Sequence, residues 1–470
     1  MISDKLLDGQ KMKWLFRPTP VDCSSTHSVT ISDALKVGRS RQQRACFSIA
    51  LVLLVVTLLA APLPFGSVQP WAYACLSMLA VALLLLWAIG SVQEGVLRIE
   101  WSPLLVPLGL FLLLGLIQFS AHLTSDPFSA RESLLKLGTD LLFFFLSGQL
   151  LALANEKAWR RIGLSVTAFC FILSLFAILQ FFSTRTLMYW SVKIPWGGFF
   201  GPYVNHNHYA GLMEMVIPLA AGYILSQPAD RSMRGWSAVA SFVVLVPVAS
   251  VLLSGSRGGM FSLLFETFVL GTLGLRYAPL CRARGLAIWG ITSISAAIWL
   301  FLWMDPGQIS KRLAVLFERG RQHEEISFVE RKTIYMDSFR LLREHPWIGT
   351  GLGSFEVAYP RYQSLATDEV VDHAHNDYLE ALAETGIVGG AIIVAAIAIF
   401  LYHAFWDLGG RLRHEKGWMQ IGASLGVCGL LVHSFVDFNL HIPANAAWFA
   451  VCAALGSHWR AKFSMHGGTV

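Results

Sequence analysis

About twelve runs of apolar residues, each near the length needed to cross a bilayer, leave this chain little choice of fold. A transmembrane helix needs roughly 20 apolar residues, with a range of about 17 to 25. Runs of that kind lie near 47–65, 71–90, 103–120, 136–154, 162–183, 207–226, 237–254, 258–275, 285–303, 377–404, 417–436 and 441–458. The chain is 55% hydrophobic and 14% charged, where a soluble domain carries about 25% charged residues. The fold expected is all-α, a polytopic membrane helix bundle with one long extracytoplasmic loop containing short helices. A string of soluble domains is excluded. The net charge of +6 is modest and reads as basic loops against anionic headgroups, not as a nucleic-acid surface. None of the seven cysteines lies in the long polar loop and none forms a CxxC pair, which argues against a disulfide framework or a cysteine zinc site.

Basic residues in short loops mark the cytoplasmic side. Lys36, Arg39, Arg41 and Arg44 precede the first run; Lys157, Arg160 and Arg161 follow the fourth; Arg231 and Arg234 follow the sixth. Arg276, Arg282 and Arg284 follow the eighth, Arg411, Arg413 and Lys416 the tenth, and Arg460 and Lys462 the last. All fall on one side of a twelve-helix arrangement. The expected division is a polar cytoplasmic tail at 1–46 with no cleavable signal, helices one to nine over 47–303, an outer loop over 304–376, helices ten to twelve over 377–458 and a second tail at 459–470. Within the loop, RKTIYMDSFRLLRE at 331–344 puts Ile334, Ser338, Leu341 and Leu342 on one helical face, with Tyr335 and Phe339 beside it. This is an amphipathic helix lying on the membrane or the bundle. Pro346 and the glycines at 349, 351 and 353 end it.

With this topology the polar clusters gather at the outer mouth. Asn205, His206, Asn207 and His208 open the sixth run. Arg257, within SGSRGG, lies between the seventh and eighth; its guanidinium either grips phosphate oxygens bidentately or snorkels to the interface. His375 precedes the tenth run and is either a general base, with an ordinary pKa near 6.5, or a cap. Asn376 and Asp377 are further candidate caps. Asp377, Glu380 and Glu384 share a helix face, and Glu384 reads as charge balance. His433, Asp437, Asn439, His441 and Asn445 surround the last turn, where His433 and Asp437 are placed to satisfy each other. The HxH pairs His206/His208 and His373/His375 invite a metal reading, but no cysteine or acidic calcium loop supports it, and no metal is expected. Tyr203 and Tyr209 read as interfacial aromatics. Glu266 is the one charge near the midplane of the bundle.

These pieces together resemble the O-antigen ligase and polymerase superfamily of bacterial envelope glycosyltransferases. The resemblance is carried by NHNHYAG at 205–211, SGSRGG at 254–259, Arg331 with HPWIGTGLGSF at 345–355, HAHNDYLEALAETGIVGG at 373–390 and HSFVDFN at 433–439. It covers roughly residues 100–458. It implies an inverting, cofactor-free transfer of a glycan from a polyprenyl-diphosphate carrier such as undecaprenyl diphosphate, on the periplasmic face of the inner membrane. The implied acceptor is the lipid A core of lipopolysaccharide, for a ligase, or another lipid-linked repeat, for a polymerase of O-antigen or exopolysaccharide. By motif position His375 would be the base and Arg257 and Arg331 the diphosphate ligands. His208, Asn376, Asp377 and Tyr335 complete the expected substrate-binding set. The competing class is a transporter or flippase, which would need ionisable groups near the midplane.

Overall fold

The computed structural model describes residues 31–184, 186–194, 198–227, 236–277, 328–364, 370–457 and 460–466. In chain order the helices are α1 (Ile31–Ala60), α2 (Pro70–Glu94), α3 (Leu105–Ser120), α4 (Pro127–Ala152), α5 (Glu156–Ser183), α6 (His206–Ser226), α7 (Trp236–Ser254) and α8 (Arg257–Tyr277). Further along the chain come α9 (Phe328–Glu344), α10 (Phe355–Ala358), α11 (Asp377–Phe405), α12 (Leu408–Arg411), α13 (Glu415–His433) and α14 (Pro443–Gly456). Among the described residues, α2, α4, α5, α6 and α11 are long and apolar enough to cross a membrane by length and composition, and four shorter apolar helices accompany them. The expected span at 285–303 and the loop residues up to 327 lie outside the described residues.

Helix starts follow side-chain caps more closely than hydropathy. Asp126, Asn155, Asn205 and Asn376 accept the first free backbone N–H groups of α4, α5, α6 and α11, satisfying donors that have no partner in the helix. For this reason α4 and α5 begin at 127 and 156, well before the apolar runs expected at 136 and 162. The all-α expectation needs one addition: β1 (Val96–Trp101) pairs antiparallel with β4 (Arg460–His466), and β2 (Leu187–Met188) with β3 (Val192–Lys193).

The densest packing is between α6 and α13. At Gly222, Gly422 and Gly426 an added Cβ would come within 2.2–2.6 Å of the partner helix's backbone. Small residues let membrane helices approach this closely. Tyr203 and Tyr209 are not interfacial: both are buried, and each satisfies its hydroxyl inside the bundle. Tyr203 donates to Asn445 Oδ1 at 2.7 Å, and the Tyr209 hydroxyl is 2.8 Å from Ser250 Oγ.

The loop helix α9 packs on the bundle through the expected face. Ile334, Ser338 and Leu341 are buried, and the two leucine-type side chains join Phe355, Tyr359, Val371, Ala374 and Ala383. Met336 and Phe339 face outward. The glycine turn then clamps α11. Thr350 N–H donates to Ala383 O (3.0 Å), Gly351 N–H to Glu384 O (2.9 Å) and Ile387 N–H to Pro346 O (2.8 Å). Gly386 breaks the helix at φ 62° to receive them. Buried Gln118 of α3 adds Nε2–H bonds to Ile348 O and Glu384 O. Gly349 sits at φ 69° with Glu384 C 2.2 Å from where its Cβ would be. Gly349→Ala is therefore expected to cost about 3 kcal/mol, from left-handed strain plus overpacking. Thermal unfolding in detergent checks this, with Gly409→Ala, which has open space around it, leaving the transition where it is.

Candidate active site

His208, His375, His433 and Asp437 come together at the end of the bundle where α6, α11 and α14 begin and α13 ends. Their meeting point is the turn between α13 and α14. Asp437 on that turn is 1% exposed. Its Oδ1 lies 3.9 Å from both His375 Nδ1 and His208 Nε2, and its Oδ2 lies 3.9 Å from His433 Nε2. These are ion-pair distances, longer than hydrogen bonds. Burial works against the Asp437 anion, but the His375, His208 and His433 imidazoles around it hold its carboxyl well below the usual carboxylate range. Phe438 fills the space between the rings, stacked on His373 at 4.2 Å and edge-on to His208 and His375.

His375 is held by its backbone. Its φ is +51°, a conformation uncommon outside glycine. The Tyr335 hydroxyl donates to His375 O at 2.9 Å, so α9 holds His375 through its main chain. Asn376 is occupied as the α11 cap, accepting from Leu379 N–H, while its Nδ2–H bonds Phe435 O. Asp377 accepts from Leu440 N–H and lies 3.0 Å from His441 Nδ1. Arg331 of α9 reaches the same turn, donating from Nη1 to Val436 O at 3.0 Å, beside Asp437. Arg257 is the exposed first residue of α8, and its neighbour Gly258 lies against His433. Asn445 Nδ2–H donates to His208 O and Asn439 Oδ1, tying α14 to α6.

A second cluster borders the first. His373 Nδ1 and His441 Nε2 lie 2.8 and 3.1 Å from one Glu380 oxygen, and Ala374 N–H donates to the other. Their donor atoms lie within 4.8 Å of one another, close enough for a divalent ion. The carboxylate and imidazoles already satisfy one another here, so we assign these residues a structural role.

Three expectations change. Glu384 does not balance a charge; it accepts Phe355 N–H at 3.0 Å and anchors the loop. His433 pairs closely not with Asp437 but with Glu214 of α6, Nδ1 to Oε1 at 2.7 Å. Glu266 is not alone, because Glu214 is also fully buried in the bundle. Glu214 is the residue the sequence did not expose: it lies mid-run in α6 with no motif around it, four residues after Ala210 and eight after His206.

Residues 242–394 match the family model described as O-Antigen ligase. That segment carries Arg257, Arg331 and His375, while His208 and Asp437 lie on either side of it. A comparison with curated proteins gave no match.

Proposed function

The chain carries an O-antigen ligase domain over residues 242–394, and on that premise we propose that it moves a glycan from a polyprenyl-diphosphate carrier to an acceptor hydroxyl on the outer face of the bacterial inner membrane. The observation that supports this reading is the buried carboxylate Asp437 facing His375 at the mouth of the bundle, where two arginine-bearing elements also end. In the reaction proposed, His375 Nδ1 faces Asp437 and Nε2 takes the acceptor proton. The acceptor oxygen bonds to the anomeric carbon as the bond from that carbon to the diphosphate oxygen breaks. The electron pair leaves with the diphosphate, and the anomeric centre inverts. Arg257 and Arg331 balance the charge of the departing diphosphate, the largest electrostatic demand of such a step. Asp437 stabilises the imidazolium that forms. His208 and Tyr335 hold the carboxylate and the base in place. Asn376 and Asp377 shape the turn beneath the acceptor. We favour a ligase acting on the lipid A core over a polymerase because the HAHND element and the glycine-rich helix after it are closest to that domain.

Complementation tests the reading. The wild-type chain is placed in cells lacking their own ligase and in cells lacking their polymerase, and surface polysaccharide is resolved on gels. Capped lipopolysaccharide in the first host marks a ligase; a restored ladder of lengths in the second marks a polymerase. In the host that responds, Arg257→Lys is expected to lose about 10- to 100-fold in transfer, since a point charge does not reproduce the planar fork. Full activity in that variant would remove Arg257 from the mechanism.

A further inference from the structure

Arg257 heads a line of aromatic side chains that the glycan-transfer mechanism does not use. Between Arg257 and Thr272 the exposed residues of α8 are Arg257, Phe261, Phe265, Phe268 and Thr272. Their spacing of four, four, three and four keeps them within about 80° of the helix circumference. The opposite face holds α8 against the bundle. Leu263 and Glu266 are buried there, and Ser262 donates from Oγ to Gly429 O of α13 at 3.0 Å. Leu270 and Leu273 pack with Trp418, Ile421 and Leu425 of the same helix. The phenylalanines are therefore carried outward on a helix that is fixed from behind.

Composition sets this face apart. The exposed large apolar residues of α2, α5 and α11 are mostly valine, leucine and isoleucine, whereas those of α8 between Arg257 and Thr272 are all phenylalanine. In a bilayer, burial alone does not draw one hydrocarbon chain to a helix in place of another, because lipid tails are as apolar as leucine. Discrimination comes from contact and from aromatic surface. A polyprenyl chain differs from an ordinary acyl chain in carrying a methyl-branched double bond in every unit. It therefore offers unsaturated faces at short intervals to a row of aromatic rings. At the head of the line two arginine-bearing elements meet one apolar knuckle. Arg331 Nη1 donates to Val436 O at 3.0 Å, and a Cβ on Gly258, next to Arg257, would lie 3.1 Å from Val436 Cγ2. Val436 and Phe435 are exposed, and the Phe435 ring lies 4.5 Å from that of Tyr378. From Arg257 to Phe268 is roughly 16 Å of helix, about half the depth of a hydrocarbon core of about 30 Å.

We propose that the Phe261, Phe265 and Phe268 face of α8 is the track on which the donor's polyprenyl chain lies, with its first units crossing Val436 and its diphosphate at Arg257 and Arg331. The inference rests on the glycan-transfer reading above and adds what selects the donor's lipid. The diphosphate sets the register of the chain, and the rings set its direction down the bundle. Together they keep the anomeric carbon in front of His375 while the acceptor arrives. The three phenylalanines contact the carrier away from the reacting atoms, so they determine which lipid is accepted and where its head rests.

Photocrosslinking tests the track in the full chain, reconstituted in phosphatidylglycerol–phosphatidylcholine vesicles with radiolabelled undecaprenyl diphosphate as the probe. p-Benzoylphenylalanine placed at position 261, 265 or 268 is expected to capture the probe several-fold more than the same group at position 172 of α5, where Ile172 is also exposed. A variant combining Phe261→Leu, Phe265→Leu and Phe268→Leu keeps an apolar face and the wild-type thermal transition. It is expected to bind undecaprenyl diphosphate about tenfold more weakly, with binding of inorganic diphosphate unchanged. Arg257→Lys weakens both. Capture of phospholipid alone, equal capture at position 172, or unaltered binding in the leucine variant overturns the track, and the face then meets bulk lipid only. A wild-type chain that binds neither undecaprenyl diphosphate nor inorganic diphosphate would instead overturn the glycan-transfer reading, so the two failures are distinct.

Discussion

Replacing His375 with asparagine is expected to lower glycan transfer by about 10²- to 10⁴-fold, the range a positioned general base supplies, while leaving the protein folded. Asparagine suits the test because it tolerates the left-handed backbone found at this position. The Tyr335 hydroxyl bond to the main-chain carbonyl survives the change. What disappears is the ring between Asp437 and the mouth of the bundle. Surface polysaccharide in the complemented host reads the loss, and thermal unfolding of the purified protein reads the fold. The experiment also separates the two functional classes. Two buried carboxylates now stand in the bundle where a transporter would want them, so sequence position no longer argues against transport as strongly as one midplane acid did. A transporter would keep its flux without His375, whereas a transferase would lose its product. Transfer at the wild-type rate in His375→Asn would remove the base from the mechanism.

The helical class and the convergence of clusters at one end were legible because both are properties of period and polarity. Apolar runs of membrane length appear directly in a sequence, and alternation of helix direction brings every second loop to the same face. The face of α9 was legible for the same reason: Ile334, Ser338 and Leu341 are buried as their spacing implies. What the sequence hid was partnership. Glu384, Glu214 and Gln118 are each polar residues within apolar or mixed helices, and each finds its hydrogen-bond partner more than 25 residues away. Burial forces such groups to pair, but nothing in the local pattern says with what. The glycine motifs mark close approaches whose partners only the structure supplies. Gly349 accommodates helix α11, Gly351 accommodates Thr124 ahead of α4, Gly258 accommodates His433, and Gly259 accommodates Ala210 and Glu214. A glycine reports that space is needed, not whether a ligand or another helix fills it.

Asp437→Asn should be about as damaging as loss of His375, about 10²- to 10⁴-fold, because the change removes a charge and keeps the shape. Asp437 is the only group among the described residues within ion-pair distance of His208, His375 and His433 together. Those three rings keep it anionic against burial, so a negative charge is available wherever the reaction runs. An asparagine retains an oxygen for Phe438 N–H, which bonds Asp437 Oδ1 at 2.8 Å, and the turn should persist. It does not stabilise an imidazolium, and its amide is free to present a donor where His375 Nδ1 needs an acceptor. Exchange of carboxylate for amide in an imidazole–carboxylate pair acts mainly through that wrong tautomer. Asp437→Glu, which restores the charge on a longer arm, should recover part of the transfer; asparagine should recover none. Equal losses in the two variants would mean that shape rather than charge is what the turn requires. Full transfer in Asp437→Asn would leave His375 to act without its carboxylate.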